Sequence, residues 1–349
     1  MKVAVTGSSG LIGTALVAAL RAHGHEVIRL VRAAPAADPK GGVHMRIAVT
    51  GSSGLIGSAL VAALRADGHQ VIRLVRDAPV SSDTVAWDPR AATGGLDPRS
   101  LEGVTAVVHL AGAGVADQRW TDSYKAQIRD SRVQGTTALV SALKAMATPP
   151  AVLLSGSAIG WYGDVGGREV DESSPAGTGF LADVVRDWEA AAAAAGQAGI
   201  RVVTMRSGLV LSASGGVLAR LLPLFRLGLG AKLGPGTQVI SWVGLSELVA
   251  IIRFLLARDD VSGPVNATLP NPVTNREFTA ALAAAVHRPA VLTVPVPVLR
   301  TVIGGASIEL LSSARVLPKR LLAAGYQYRH PGIAGALAAE LAPPVTVPA

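Results

Sequence analysis

Residues 45–76 read MRIAVTGSSGLIGSALVAALRADGHQVIRLVR. Arg46–Thr50 is a short apolar run of β-formers, and Gly51–Gly57 is a glycine turn. Leu55–Arg65 carries apolar residues at helical spacing, Gly68 ends that helix, and Gln70–Arg76 is a second strand-like run. In the spacing Gly51-x-x-Gly54-x-x-Gly57, the glycines remove side chains where the chain turns tightly and where a pyrophosphate comes close. The N-terminus of the following helix then offers free N–H groups and a positive dipole end. A glycine pattern alone is weak. This one follows a strand, opens a helix and leads to another strand, which is the setting that gives the motif its meaning. Gly51, Ser53, Gly54, Leu55, Ile56 and Gly57 are therefore expected to hold a dinucleotide.

The end of the second strand discriminates between the dinucleotides. An acidic residue there suits the ribose hydroxyls of NAD, whereas an arginine suits the 2′-phosphate of NADP. The strand ends Leu74-Val75-Arg76, with Asp77 one step later. Arg76 is placed for charge-assisted contacts to a phosphate, so the expected cofactor is NADP(H), and Asp77 leaves NAD(H) open.

The same stretch occurs twice. Residues 1–32 align with 45–76 without a gap at an offset of 44, and TGSSGLIG recurs at Thr6–Gly13 and Thr50–Gly57. Of 32 aligned positions 27 are identical. The five differences are Lys2/Arg46, Val3/Ile47, Thr14/Ser58, His23/Asp67 and Glu26/Gln70. A doubly wound sheet has room for one such first strand and helix. If the first copy filled that place, residues 33–83 would be looped out with an apolar strand–helix–strand exposed. The second copy joins the next strand, near Thr84, through a short connection. It is expected to be the working copy, with the first an appended tandem duplicate behind the Pro/Gly/Ala linker AAPAADPKGGVH.

The alternation continues downstream. Thr84–Trp87, Thr105–Leu110, Ala151–Ser155 and Arg201–Arg206 read as strands, and Thr121–Met146 and Phe180–Ala198 as helices. The fold class expected is α/β, a Rossmann-like doubly wound parallel sheet with a smaller C-terminal substrate domain. The expected division is 1–44 duplicate and linker, 45–212 dinucleotide-binding domain, 213–342 mostly substrate domain, and 343–349 tail.

Composition agrees with a buried parallel sheet: the 349 residues are 50% hydrophobic and 16% charged. No uninterrupted apolar run approaches the ~18 residues of a membrane helix, and the N-terminus lacks the long apolar core of a signal peptide. With no cysteine, disulfides, thiolate metal sites and thiol nucleophiles are excluded, and a cytoplasmic protein is expected. Net charge is +8, but the arginines are scattered and not interleaved with aromatics, so no nucleic-acid partner is expected. No membrane partner and no metal are expected, since His, Asp and Glu do not cluster at ligand spacing. The expected partner is a small-molecule substrate, and a homodimer is left open.

Further motifs carry a family resemblance over about residues 45–340: VVHLAG (107–112), RWTDSYKAQIRDSRVQGT (119–136), SGSAIGWYGD (155–164), RDWE (186–189), RSGLVLSASGGVLARLLPLFRLGLGAKLG (206–234) and PKRLLAAGYQY (318–328). The chain resembles the extended or atypical short-chain dehydrogenases/reductases of the NAD(P)-dependent epimerase/dehydratase superfamily. More narrowly, it resembles the bacterial "epimerase family protein" subgroup, of which a small C-terminal domain is typical. The resemblance implies that Ala111 and Gly112 pass the adenine side of the cofactor. It also implies that Ser155–Ser157 lie beneath the nicotinamide, and that Arg206 and Gly208 line its pocket. Ser157 matches the serine that bonds the reacting oxygen. The implied activity is NADP(H)-dependent oxidoreduction or nucleotide-sugar-epimerase-like chemistry on a small polar or carbonyl substrate.

Two departures matter. The superfamily transfers protons with a Tyr and a Lys four residues later. None of Tyr124, Tyr162, Tyr326 and Tyr328 has Lys at that spacing. The corresponding helix offers Phe180 or Leu181, then Val184 or Val185, which transfer no protons. Tyr162 is the candidate substitute acid or base, with a packed aromatic beside Trp161 as the alternative. Lys125 and Arg129, on one helical face, are other charged candidates or a solvated face. Without the pair, a non-catalytic NADP(H)-binding sensor or regulatory protein is the rival reading. The second departure is Ser241-Trp242-Val243-Gly244, where the subgroup often reads Trp-Ile-His before acidic residues. His109, inside a buried strand, is read as a satisfied core histidine and Trp188 as a core anchor. Arg119-Trp120 is either substrate-facing or packed at a helix entry.

Overall fold

The computed structural model describes residues 2–6, 26–30, 44–91 and 94–342. The chain divides into two compact units, Met1–His44 and Met45–Ala349. In the first, Lys2–Thr6 and Glu26–Leu30 pair in parallel from Lys2 opposite Glu26 to Thr6 opposite Leu30. The turn and helix expected between them, the linker and the 343–349 tail lie outside the described residues.

The second unit is built on seven parallel strands: β1 (Arg46–Thr50), β2 (Gln70–Val75), β3 (Thr84–Ala86), β4 (Ala106–His109), β5 (Val152–Ala158), β6 (Arg201–Ser207) and β7 (Gly263–Ala267). Their order across the sheet is β3-β2-β1-β4-β5-β6-β7. The order reverses between β1 and β4, which creates the crevice where doubly wound sheets take their ligands. Helices α1 (Leu55–Ala66), α2 (Asp122–Ala145), α3 (Phe180–Ala193), α4 (Gly216–Arg226) and α5 (Leu245–Ala257) accompany the strands.

The central strands β1, β4 and β5 are buried on both faces, with alternate residues in different cores. Ile47, Val49, Val108 and Leu154 pack with Leu60 and Leu64 of α1 and with Ile251, Ile252 and Leu255 of α5. Ala48, Val107 and Leu153 point the other way, into a core with Leu139 and Leu143 of α2. The helix expected over 180–198 is α-helical to Ala193 and tightens to a 3-10 turn over Ala194–Ala198. Gly199, at φ 73°, then ends it.

The seventh strand lies beyond the expected boundary at 212. Its sequence, Gly-Pro-Val-Asn-Ala, shows neither alternation nor an apolar run. It is an edge strand, pairing with β6 alone among the described residues, and proline is tolerated at an edge. Around it, short strand pairs tie the second half together, such as Leu209–Ser212 with Trp242–Gly244 and Glu169–Val170 with Arg315–Val316. Among the described residues, no helix is long and apolar enough to cross a membrane, and no group of His, Asp and Glu could hold a metal ion.

Candidate functional site

The glycine turn stands at the C-terminal end of β1, beside the reversal point. Gly51 has φ 64°, and a Cβ on it would lie 2.8 Å from the carbonyl carbon of Leu110, where β4 leaves the sheet. A Cβ on Gly57 would lie 2.1 Å from the carbonyl oxygen of Gly51. Neither position admits another residue without moving backbone. Gly54 closes the turn by donating its N–H to Gly51 O at 3.0 Å, and no side chain caps α1. The first-turn N–H groups of Leu55, Ile56 and Gly57 therefore open the helix without protein acceptors, as an anion site requires. Ser53 is exposed on the same turn, while Ser52 is buried.

Thr50 locks this turn to the next strand. Its Oγ1 accepts from Leu110 N at 3.0 Å and Ala111 N at 3.2 Å, so its one proton goes to His109 Nδ1, 2.7 Å away. His109 Nε2 then donates to Thr136 Oγ1 at 2.9 Å. Burial pulls the His109 pKa down to about 4, so the ring is neutral and fully bonded, as the sequence reading had it. Ala111 and Gly112 follow directly, the first half-buried and the second exposed.

Arg76 stands just past β2 with its side chain exposed, as is Asp77. An open cleft of about 360 Å³ adjoins it, lined also by Ala86, Trp87, Asp88 and Gly95.

The ends of β5 and β6 meet α3 in a buried polar network. Ser157 Oγ donates to Glu189 Oε1 at 2.6 Å. Arg206 Nε donates to the same oxygen at 2.8 Å and Nη2 to Oε2 at 2.9 Å. Arg206 Nη1 also donates to the Tyr162 hydroxyl at 3.1 Å, and that hydroxyl donates to Asn266 Oδ1 at 2.7 Å. The Trp161 ring covers the Arg206 guanidinium at 3.9 Å. Burial pulls the Arg206 pKa down, but the hydrogen bonds and charge of Glu189 outweigh it and the net direction is up. Burial pushes the Tyr162 phenol up to about 12, against the opposing pull of Arg206.

These contacts revise several sequence expectations. Arg206, expected to line the nicotinamide pocket, is 2% exposed with its guanidinium engaged by Glu189, Trp161 and Tyr162. Tyr162 is 1% exposed, and its hydroxyl is enclosed by Asn266 and Arg206 in the packed arrangement. Ser155 is fully buried in the strand, and Gly208 is pressed against the Ser241 carbonyl, 2.8 Å from where a Cβ would stand. The Ser155 hydroxyl is turned inward, donating to Gly156 O at 3.2 Å. Val184 and Val185 are buried at the expected lysine position, and Trp188 is a core anchor. Arg129 pairs with Asp187 and Lys125 lies over Phe180. Trp120 takes the helix-entry role, packing on Phe180 at 5.2 Å and donating to Val115 O at 2.8 Å. Gly244, which stands where the subgroup often has His, packs against Glu340, whose Oε1 would lie 2.8 Å from a Cβ.

Sequence reasoning assigned no role to Glu189, Asn266, Thr50 or Thr136. Glu189 had a visible signal: it lies four residues after Val185 and eight after Leu181, on the helix face where the proton-transfer pair was sought. Asn266 had none, being 104 residues from Tyr162.

Fold and turn together define a dinucleotide-binding α/β protein with its site at the β1/β4 reversal. The chain matches the NAD dependent epimerase/dehydratase family over residues 3–45 and 47–267, a break that falls at the start of the second copy. Residues 294–340 match a domain of unknown function, DUF1731. The chain belongs to that epimerase/dehydratase family. Epimerase family protein Mb2239 of Mycobacterium bovis is 46% identical over 336 residues, 96% of each chain. The crystal structure of human epimerase family protein SDR39U1 (isoform 2) with NADPH superposes with a TM-score of 0.79 at 35% identity, covering 84% of this chain and 98% of that one. A nucleoside-diphosphate sugar epimerase from Corynebacterium glutamicum superposes with a TM-score of 0.71 at 36% identity, over 85% of this chain and 58% of that one.

Proposed function

We propose that the protein is an NADP(H)-dependent oxidoreductase or epimerase-like enzyme acting on a small polar substrate that carries a hydroxyl or carbonyl group. The observation that carries this reading is the uncapped N-terminus of α1 behind a turn that only glycine fits, with Arg76 exposed at the end of β2. Backbone N–H groups of Leu55, Ile56 and Gly57 bind the pyrophosphate, with Gly51, Ser53 and Gly54 shaping the turn. Arg76 binds the 2′-phosphate, and Ala111, Gly112, Ser155 and Gly208 line the path of the cofactor with backbone. The NADPH in the human relative's structure supports the same choice. When bound, NADP(H) supplies or accepts hydride at its nicotinamide.

At the reacting oxygen the protein offers Ser157. Its own proton is committed to Glu189, so its oxygen is turned to accept from a substrate hydroxyl. Tyr162, the expected acid or base, has its phenol pKa near 12 and both of its polar contacts filled. We assign it to holding Arg206, and through Arg206 to holding Glu189 and Ser157. The buried valines at 184 and 185 favour one rival, a non-catalytic NADP(H)-binding regulatory protein.

Calorimetry with NADPH and NADH on the full chain tests the cofactor assignment. NADPH binds more tightly, and Arg76→Ala weakens NADPH about 10- to 100-fold, the worth of a charge-assisted contact, with NADH unchanged within about twofold. Equal affinities in the wild type refute it. Turnover of NADPH over a panel of carbonyl compounds separates the two readings. The enzyme reading expects Ser157→Ala to cost roughly 100-fold in kcat, and absence of turnover with tight NADPH binding selects the regulatory one.

A further inference from the structure

Arg132 of α2 is a cation without a counter-ion among the described residues. Its Nη1 donates to Ala113 O at 2.9 Å and Ile128 O at 3.0 Å, which leaves the N–H groups of Nε and Nη2 without protein acceptors. The carboxylates of the facing helix α3 are all taken: Asp183 by Arg186, Asp187 by Arg129 and Glu189 by Arg206. Asp117, on the intervening loop, faces Arg220 at 3.5 Å. Burial pulls the Arg132 pKa down, against a pull upward from the Tyr124 phenol, yet a guanidinium remains charged throughout the accessible range. A partly buried charge left unpaired is costly.

The side chain is nevertheless held in one place. Its guanidinium lies 5.2 Å from the Trp188 ring centre, a cation–π contact. A Cβ on Gly112 would stand 3.3 Å from its Cζ. The other side of the Trp188 ring edge reaches Gly156, 3.0 Å from where its Cβ would be, next to Ser157. The Trp188 indole N–H is itself buried without an acceptor. Arg132 thus stands against the segment that follows β4, at Gly112 and Ala113, with the Trp188 ring between it and the end of β5 at Gly156. A fixed guanidinium with an open edge matches the two oxygens of a phosphate or carboxylate.

We propose that Arg132 is an oxyanion-binding residue whose open edge takes two oxygens of a phosphate or carboxylate on the molecule bound in this crevice. The inference rests on the preceding reading only for the presence of a ligand there. Two sources carry that chemistry: the cofactor's phosphates and an anionic substrate.

Two calorimetric titrations distinguish them in the wild type, Arg132→Met and Arg132→Lys. One uses NADPH on the free protein, and the other uses inorganic pyrophosphate on NADPH-saturated protein. Arg132→Met is expected to weaken one titration at least tenfold, about 1.4 kcal/mol. Arg132→Lys, which keeps the charge and loses the fork, falls in between. Loss in the first titration assigns the anion to the cofactor, and loss in the second to the substrate. Both titrations within about twofold of wild type, for a variant that melts cooperatively, overturn the proposal. If Arg132→Met does not fold, Arg132→Lys decides by the same criterion. If the wild type binds no NADPH, the function reading fails alone, and pyrophosphate titrated onto the free protein still tests Arg132.

Discussion

Removing the charge of Glu189 while keeping its shape isolates what holds the network at β5, β6 and α3. The Arg206 side chain is 2% exposed and that of Glu189 11%, so water cannot replace a lost partner. In Glu189→Gln the amide oxygen can still accept from Ser157 and from Arg206 Nε. The amide nitrogen, however, faces Arg206 Nη2, donor against donor, in place of the present 2.9 Å bond. Arg206 is left as a buried cation with two of its three hydrogen-bond acceptors and no counter-charge. Breaking a buried pair from one side costs about 3–5 kcal/mol. The Trp161 face and the Tyr162 hydroxyl remain, so the lower end, about 3 kcal/mol, is expected. Arg206→Met alone leaves the Glu189 carboxylate buried with only Ser157 as donor, and a similar loss is expected. The double variant removes both charges, and its loss is expected to be about 2 kcal/mol or more smaller than the sum of the singles. Urea denaturation followed by tryptophan fluorescence reads this as midpoint shifts at constant slope. A Glu189→Gln loss under about 1 kcal/mol, or additive single and double variants, would refute the reasoning.

Three other outcomes follow from the same geometry. Gly57→Ala places a Cβ 2.1 Å from the Gly51 carbonyl oxygen, whereas Gly54→Ala places one at 3.3 Å from it. The first is expected to destabilise by at least about 2 kcal/mol and the second by less than 1, and reversed order in thermal melts would contradict the turn. His109 has its pKa depressed from 6.5 to about 4, so between those values the unfolded chain binds a proton that the folded one refuses. Stability is therefore full above pH 6.5 and falls as the pH drops to about 4, by about 3 kcal/mol in all. His109→Gln is expected to flatten that limb, and an unchanged urea midpoint profile from pH 7 to 4.5 would count against it. Deleting residues 1–44 is expected to leave NADPH affinity within about twofold. A folded truncation that no longer binds NADPH in calorimetry would move the cofactor site to the first copy.

The first strand–turn–helix–strand was legible because everything that specifies it is local. An apolar run, three glycines at fixed spacing, a helical apolar stripe and a closing glycine all fall within 32 residues. The strands at 106–109, 152–158 and 201–207 were legible for the same reason, each being an apolar run between turn signals. The strand at 263–267 was not, since its partner β6 and its edge position, rather than its own residues, make Gly-Pro-Val-Asn-Ala extended. The site divides along the same line. The glycine turn and Arg76 follow from neighbours in sequence. The polar network joins residues 157, 162, 189, 206 and 266, and only their meeting determines what each does. Arg206 at a strand end has the sequence signature of a pocket-lining cation, and the carboxylate 17 residues upstream turns it into an internal one.

That reassignment bears on the missing Tyr–Lys pair. The superfamily's lysine is a cation beside the reacting centre, and this chain puts valine in its place. The charged candidates read from the sequence, Lys125 and Arg129, are engaged by the Phe180 ring and by Asp187. The carboxylates of α3 account for the arginines they reach. Asp183, Asp187 and Glu189 neutralise Arg186, Arg129 and Arg206, and Arg132, which none of them reaches, keeps its charge for whatever enters the crevice. A cation matched by a buried carboxylate stabilises the fold. One held by carbonyl oxygens and an indole face, with an open edge beside the segment that follows β4, has no electrostatic partner among the described residues, and the proposal gives it one in the bound anion. On the proposal for Arg132, the charge that the valines removed from α3 is supplied from α2 by a guanidinium that binds anions and transfers no protons, and on the proposed function the proton falls to Ser157 and the carboxylate bonded to it.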